Sequence, residues 1–236
     1  MFQGHVYTIT NVVPRLGLVR LRNPWGDNHE WTGPWSDNSP QWNNLKKSEL
    51  KLLDVKNKDD GEFYMSIQDF SRIFEILSIC NISHLKPGMA WHEEKIYGSW
   101  KKYFSAGGGY SSIESFATNP QFKIILQDSC KKSCTIIISL TKKTLSGWKK
   151  FNVGFAIYQL KGGKKTTTVM SKKILKTKKP IGTSGELRFF PEVTKRFELK
   201  PGSYAIIPYT EEANQECDFL LRVFSEKPCF LKGLKA

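Results

Sequence analysis

The sequence predicts a mainly β protein in two parts, a β-rich N-terminal unit followed by an antiparallel β-sandwich. Three observations carry that reading. Short apolar or alternating runs separated by turn residues recur beyond residue 90. Two runs rich in β-branched residues flank Pro14 near the N-terminus. Only one segment, from Ile67 to about Ser78, repeats its apolar residues at a helical period.

In chain order, His5–Thr10 and Leu16–Arg22 read as strands. A hairpin centred near Pro14 pairs residues whose numbers sum to about 28. His5 and Asn23 meet that sum, so the hairpin sets an imidazole beside an amide. Asn23-Pro24-Trp25-Gly26 is a turn signature. Residues 25–45 hold Trp25, Trp31, Trp35 and Trp42 and read as a long loop packed by its own aromatics. Gly61–Ile67 is a further strand. Ser66-Ile67-Gln68-Asp69 then has capping-box spacing, with Asp in place of Glu. Asn81–Ala90, with Pro87 and Gly88, is a connector. The sandwich strands are Phe122–Leu126, Cys134–Leu140, Val153–Gln159, Arg196–Leu199, Tyr204–Pro208 and Asp218–Phe224. No helix of similar quality is expected after residue 90.

Of 236 residues, 39% are hydrophobic and 13% aromatic, which supports a buried core and excludes global disorder. No apolar stretch is long enough to span a bilayer, and Met1-Phe2-Gln3-Gly4-His5 has no secretory pattern. Cys80, Cys130, Cys134, Cys217 and Cys229 make an odd set, which points to reduced thiols and a cytoplasmic setting. Cys130 and Cys134 lack the partner pair a zinc site needs. The net charge of +14 lies entirely beyond residue 90, and residues 142–179 hold twelve lysines and no acid. Such a strip attracts anions, although a charge run more often is only a solvated face.

Geometry alone leaves the His5–Asn23 pair open between a packing contact and a functional one. An imidazole takes a proton from a thiol when an amide or carboxylate fixes its tautomer. Trp25 stands where an indole could shield the pair, and Gly4 leaves room beside the ring.

The residues read as strings go further. Gly4-His5-Val6-Tyr7, Leu21-Arg22-Asn23-Pro24-Trp25-Gly26 and Glu30-Trp31-Thr32-Gly33-Pro34-Trp35-Ser36-Asp37 resemble successive motifs of the calpain family. So do Asp60-Gly61-Glu62-Phe63-Tyr64-Met65-Ser66 and Ile79-Cys80-Asn81. Downstream, Gly98-Ser99-Trp100, Ala106-Gly107-Gly108-Gly109, Thr118-Asn119-Pro120-Gln121-Phe122, Pro201-Gly202-Ser203-Tyr204 and the run Asp218–Lys227 resemble that family's C2-like domain. The matches keep the family's order over nearly the whole chain.

The resemblance implies the β-rich second half of a papain-like protease core at 1–82, a linker at 83–97 and a C2-like β-sandwich at 98–230. It implies that His5 and Asn23 belong to a Cys-His-Asn triad, shielded by Trp25. The triad cysteine is expected about 130–150 residues before the histidine, and only four residues precede His5. The chain alone is therefore expected to be inactive, the missing N-terminal subdomain being its partner and polypeptides the substrate of the full-length enzyme. The resemblance also implies one Ca²⁺ site from Glu30, Asp37, Asp60, Glu62 and the Lys58 carbonyl, hard oxygen donors that suit this ion. Read plainly, Asp59-Asp60-Gly61 is a hairpin turn. The segment Asp27–Glu30 is one residue longer than the family pattern, and Gln127–Cys134 is basic where relatives are often acidic. An anionic phospholipid contact is expected at Lys142, Lys143, Trp148, Lys149 and Lys150, with membrane association as a consequence and no nucleic acid. The rival reading is a non-catalytic basic C2-like module that binds phospholipid or acidic protein surfaces, or regulates a full-length relative.

Overall fold

The computed structural model describes residues 4–26, 29–55, 58, 60–79, 91–110, 112–127, 133–143, 151–160, 168–187 and 190–235. It divides into two units, Met1–Cys80 and Asn81–Ala236.

The first unit is a three-stranded antiparallel sheet in the order β1-β2-β3, from Thr8–Val13, Leu18–Arg22 and Glu62–Ser66. The β1–β2 turn is not centred on Pro14. Pro14 opens a 3-10 turn, Pro14–Leu16, which Gly17 closes in the left-handed region. This moves the hairpin centre: Thr8 faces Arg22, Val13 faces Leu18, and an irregularity lies between Ile9 and Asn11. The strand expected from His5 is laddered only from Thr8, because the sequence opposite its start is the Asn23-Pro24 turn and Pro24 has no N–H to offer.

Side chains alternate across this sheet. Leu18 and Tyr64 pack with Trp42 and Leu53 on one face. Val19, Leu21, Phe63 and Met65 pack with Tyr7, Ile9, Phe70 and Phe74 on the other. Trp35, Trp42 and Tyr64 meet edge to face, and Trp42 Nε1 donates to the Ser36 carbonyl, so the tryptophan loop does pack on itself. Helix α1 (Lys47–Leu53) was not legible from period, since only one of its residues, Leu53, is buried. Helix α2 spans Ile67–Ile73, shorter than the stretch to Ser78. Ser66 caps it by accepting from the Asp69 N–H at 2.9 Å.

The second unit is two stacked antiparallel sheets. One has four strands in the order β4-β11-β6-β9: His92–Trp100, Cys217–Ser225, Cys134–Lys143 and Glu192–Leu199. The other has five in the order β12-β5-β10-β7-β8: Cys229–Gly233, Phe122–Leu126, Gly202–Thr210, Val153–Gln159 and Gly182–Thr183. Ile136, Ile138 and Leu140 meet Phe155, Ile157 and Ile206 between the sheets. Each such side chain, fully buried, stabilises the fold by about 1.5–3 kcal/mol.

Strands β7 and β10 are buried on both faces. Their outer residues Ala156, Tyr158, Ala205 and Ile207 lie under two short helices, α3 (Ile113–Phe116) and α4 (Lys172–Thr177), which the sequence reading did not expect. Strand β4 begins at His92, inside the segment read as linker, and β12 ends at Gly233, beyond the sandwich boundary at 230. Strand β4 escaped detection because it is an edge strand with few apolar residues. Its Gly98 is a packing requirement, since a Cβ there would come within 2.3 Å of the Phe219 ring. Trp100 lies against that same ring at 4.3 Å, and its Nε1 donates to the Pro208 carbonyl of the opposite sheet.

Candidate functional site

His5 lies just before β1 and Asn23 just after β2. The ladder places Thr8 opposite Arg22, so His5 sits diagonally across from Asn23 rather than directly opposite it. Alternation puts His5, Tyr7 and Ile9 on the face that also carries Val19, Leu21 and Asn23. The contact follows: His5 Nε2 is 2.8 Å from Asn23 Oδ1.

Asn23 is fully buried and held from several directions. Its backbone N–H donates to the Gly61 carbonyl at 2.8 Å, and its carbonyl accepts from the Gly26 N–H at 3.0 Å. Its Oδ1 also accepts from the Trp25 N–H at 3.2 Å. An amide oxygen only accepts, so Nε2 of a neutral His5 carries the proton and Nδ1 carries the basic lone pair. The Trp25 ring lies 4.2 Å from the His5 ring, covering the imidazole while its own side chain stays 56% exposed.

Three residues near this pair had no role in the sequence reading. Tyr7 sets its ring edge-on to His5 at 4.9 Å and packs on Phe63 and Phe74. The His29 carbonyl faces Asn23 Nδ2 at 3.5 Å. Gly61 adopts φ +80°, and a Cβ there would come within 3.0 Å of the Asn23 carbonyl. Tyr7 was visible as part of the Gly4–Tyr7 string, and Gly61 as the glycine of a turn.

The carboxylates named for calcium gather around the turn that leads into β3. Glu30 Oε1 accepts from the Gly61 N–H at 2.8 Å, Asp37 Oδ2 from the Lys58 N–H at 2.9 Å, and Asp60 Oδ1 from the Glu62 N–H at 3.0 Å. Burial raises the Asp37 carboxyl above its ordinary range. The Lys58 N–H and Arg20 oppose that rise, and the charge of Asp60 adds to it. Glu62 is ion-paired with Arg20. The donor set is all oxygen and suits Ca²⁺. As positioned, however, no three acidic, histidine or cysteine side chains among the described residues are grouped closely enough to hold a metal ion. Each carboxylate accepts a backbone N–H or pairs with Arg20 through one oxygen, and an ionised carboxylate has further lone pairs with which it could also bind a cation.

The anionic-surface set fares differently. Lys142 is buried, not on a surface: its Nζ donates to the Phe151 carbonyl at 2.7 Å and lies 5.2 Å from that ring. The physical reason is its position inside β6, where it ladders with Phe219. Lys143 is exposed at the end of the same strand. Trp148, Lys149 and Lys150 lie outside the described residues, as do Cys80 and Cys130. Cys134, Cys217 and Cys229 are buried cysteines of the second unit. Burial, with a smaller push from Glu94, raises the Cys229 thiol to about 12, which leaves it unreactive at neutral pH.

Comparison with known proteins agrees with the order of these elements. Residues 1–81 match the family described as calpain family cysteine protease, and residues 96–224 match calpain large subunit, domain III. Calpain-9 of Mus musculus is 36% identical over 253 residues, an alignment that takes in 99% of this chain and 36% of that protein. The Calpain-1 catalytic subunit of Rattus norvegicus is 37% identical, over 96% of this chain and 35% of its own length. Calpain-A of Drosophila melanogaster is 34% identical, over 96% and 31%. The chain thus spans about a third of the length of the curated relatives it matches.

Proposed function

Because this chain belongs to the calpain family, we propose that it supplies the base and the orienting amide of a calcium-dependent cysteine endopeptidase whose thiol comes from outside these residues. One observation carries the reading, the 2.8 Å contact between His5 Nε2 and the buried Asn23 Oδ1. It fixes the tautomer that a thiol protease needs, with Nδ1 as the acceptor for the cysteine proton. In the acyl-transfer step the ring would return that proton to the leaving amine. Asn23 would hold the ring in plane, and Trp25 would keep water off one side of it.

Calcium belongs to the same proposal. Glu30, Asp37, Asp60, Glu62 and the Lys58 carbonyl would hold the ion, which would neutralise the carboxylates that crowd this turn. Asn23 and Gly61 share a backbone hydrogen bond, and Gly61 also binds Glu30. The ion would therefore brace the segment that holds the amide of the pair.

The chain alone should not cleave casein, since neither a reactive thiol nor an oxyanion hole is provided by its described residues. The decisive test is a chimera in which this chain replaces the matched part of Calpain-9. It should cleave casein when calcium is present, and His5→Ala should reduce turnover by roughly 10²–10⁴-fold, the usual share of a general base. Cleavage that is indifferent to His5→Ala would overturn the proposal.

A further inference from the structure

The indole of Trp25 covers the His5 ring at 4.2 Å, yet the residue is largely exposed. Exposed side chains change rotamer within picoseconds to nanoseconds. A cover that is to stay on the imidazole therefore needs support from the side. The Trp25 backbone is held: its N–H donates to Asn23 Oδ1 at 3.2 Å, and the Gly26 N–H donates to the Asn23 carbonyl at 3.0 Å. Neither bond sets the side-chain torsions of the indole. Those are left to ring contacts.

His29 supplies such a contact. Its imidazole meets the indole at 88°, with centroids 6.2 Å apart. That is the edge-to-face arrangement that ring quadrupoles favour at separations of about 4.5–7 Å. The indole thus lies between two imidazoles, His5 tilted by 39° and His29 nearly perpendicular. The same residue also reaches the orienting amide, since Asn23 Nδ2 faces the His29 carbonyl at 3.5 Å. His29 therefore touches both groups that position His5, the cover through its ring and the amide through its carbonyl. It stands in the Asp27–Glu30 segment, which is one residue longer than the family pattern, so the contact is read from this chain and not carried over from a motif. His29 is itself exposed and lies outside the cluster of Val19, Leu21, Phe63 and Met65. Truncating it opens no cavity there.

We infer that His29 is a positioning residue, which holds the Trp25 indole over His5 and acts on the imidazole through that indole. The inference rests on the proposed role of His5 as the base. An edge-to-face ring pair shifts a two-state equilibrium by about two- to twelvefold, and the covered and open positions of the indole are the two states.

The first test reads the geometry without turnover. The full chain, with its tryptophan and histidine rings labelled and a calcium chelator present, should show NMR cross-peaks between Trp25 and His5. His29→Ala should lower the ratio of covered to open indole about two- to twelvefold. His29→Phe keeps a ring edge at the indole and should restore it. The Trp35–Trp42 cross-peaks and the urea midpoint should stay with the parent, which separates loss of the brace from loss of the fold. The second test uses the Calpain-9 chimera at saturating calcium. There His29→Ala should lower kcat by up to the same factor with KM unchanged, and His29→Phe should recover it. Unchanged Trp25–His5 cross-peaks in His29→Ala would overturn the inference. So would a phenylalanine variant that behaves like the alanine one, or a kcat loss that more calcium abolishes, which would trace the effect to the neighbouring Glu30. A chimera that is silent, or that turns over without His5, sinks the proposed function instead, and the cross-peaks still decide whether His29 holds the indole.

Discussion

Replacing Asn23 by alanine tests the core of the candidate site. The side chain is fully buried, and its Oδ1 faces both His5 Nε2 at 2.8 Å and the Trp25 N–H at 3.2 Å. Truncation removes the acceptor and leaves two donors behind. A buried donor left unpaired costs about 1–3 kcal/mol. His5 is half-buried and Trp25 largely exposed, so water can reach both, and the lower end applies to each. The expected loss is about 2 kcal/mol for the first unit. For a unit of this size that lowers the melting temperature by roughly 8–16 °C. The assay is a urea titration followed through the amide NMR signals of residues 4–79, with the second unit's signals as an internal reference. Nitrogen NMR of His5 reads the chemistry in the same sample: the parent should hold the Nε2–H tautomer, and the variant should lose that preference. Asn23→Asp keeps an acceptor and should retain the tautomer. An Asn23→Ala variant with unchanged stability and an unchanged His5 tautomer would refute the claim that this amide orients the ring.

Three other outcomes are expected. Gly61→Ala forces a side chain into a left-handed conformation, which costs about 1–2 kcal/mol, and brings its Cβ within 3.0 Å of backbone atoms of Asn23 and Gly26; it should destabilise the first unit in a urea melt and shift the His5 resonances. Burial raises the folded Asp37 carboxyl above its ordinary 3.8, so its ionisation opposes folding as pH rises through the folded value. Asp37→Asn should therefore raise the urea midpoint at pH 7 without calcium, lose that gain below about pH 3.8, and weaken calcium binding by calorimetry. In the second unit, burial pushes the Glu192 carboxyl up. Hydrogen bonds from Ser139, Thr141 and Thr194, with the Arg222 charge, more than offset this and hold it below its ordinary 4.5. Its stabilising contribution is present above pH 4.5 and lost as pH falls through the folded value, so Glu192→Gln should lower the urea midpoint at neutral pH and leave it nearly unchanged in strong acid.

The sequence by itself determined the strands with strong local patterns. Val153–Gln159 has the bounds read from its apolar run, and Phe122–Leu126 likewise, because their residues are buried on account of their own chemistry. It also determined which residues compose the His5–Asn23 pair, since both flank a short hairpin and a two-residue error in register keeps side chains on the same face. Tertiary structure decided the rest. The turn centre moved because Pro14 starts a 3-10 turn, a choice settled by how Gly17 closes it. Strand β4 owes its existence to pairing with β11, and α1 to the docking of Leu53, neither of which leaves a period in the sequence. Lys142 reads as surface charge in any local window, yet its place inside β6 turns it inward to the Phe151 carbonyl. The lysines of α4 read no differently from those at 142–150. Only the seating of Met170 and Leu175 against the sheet fixes the side from which they are presented, because a charge run carries no information about which face it covers until a buried neighbour anchors it.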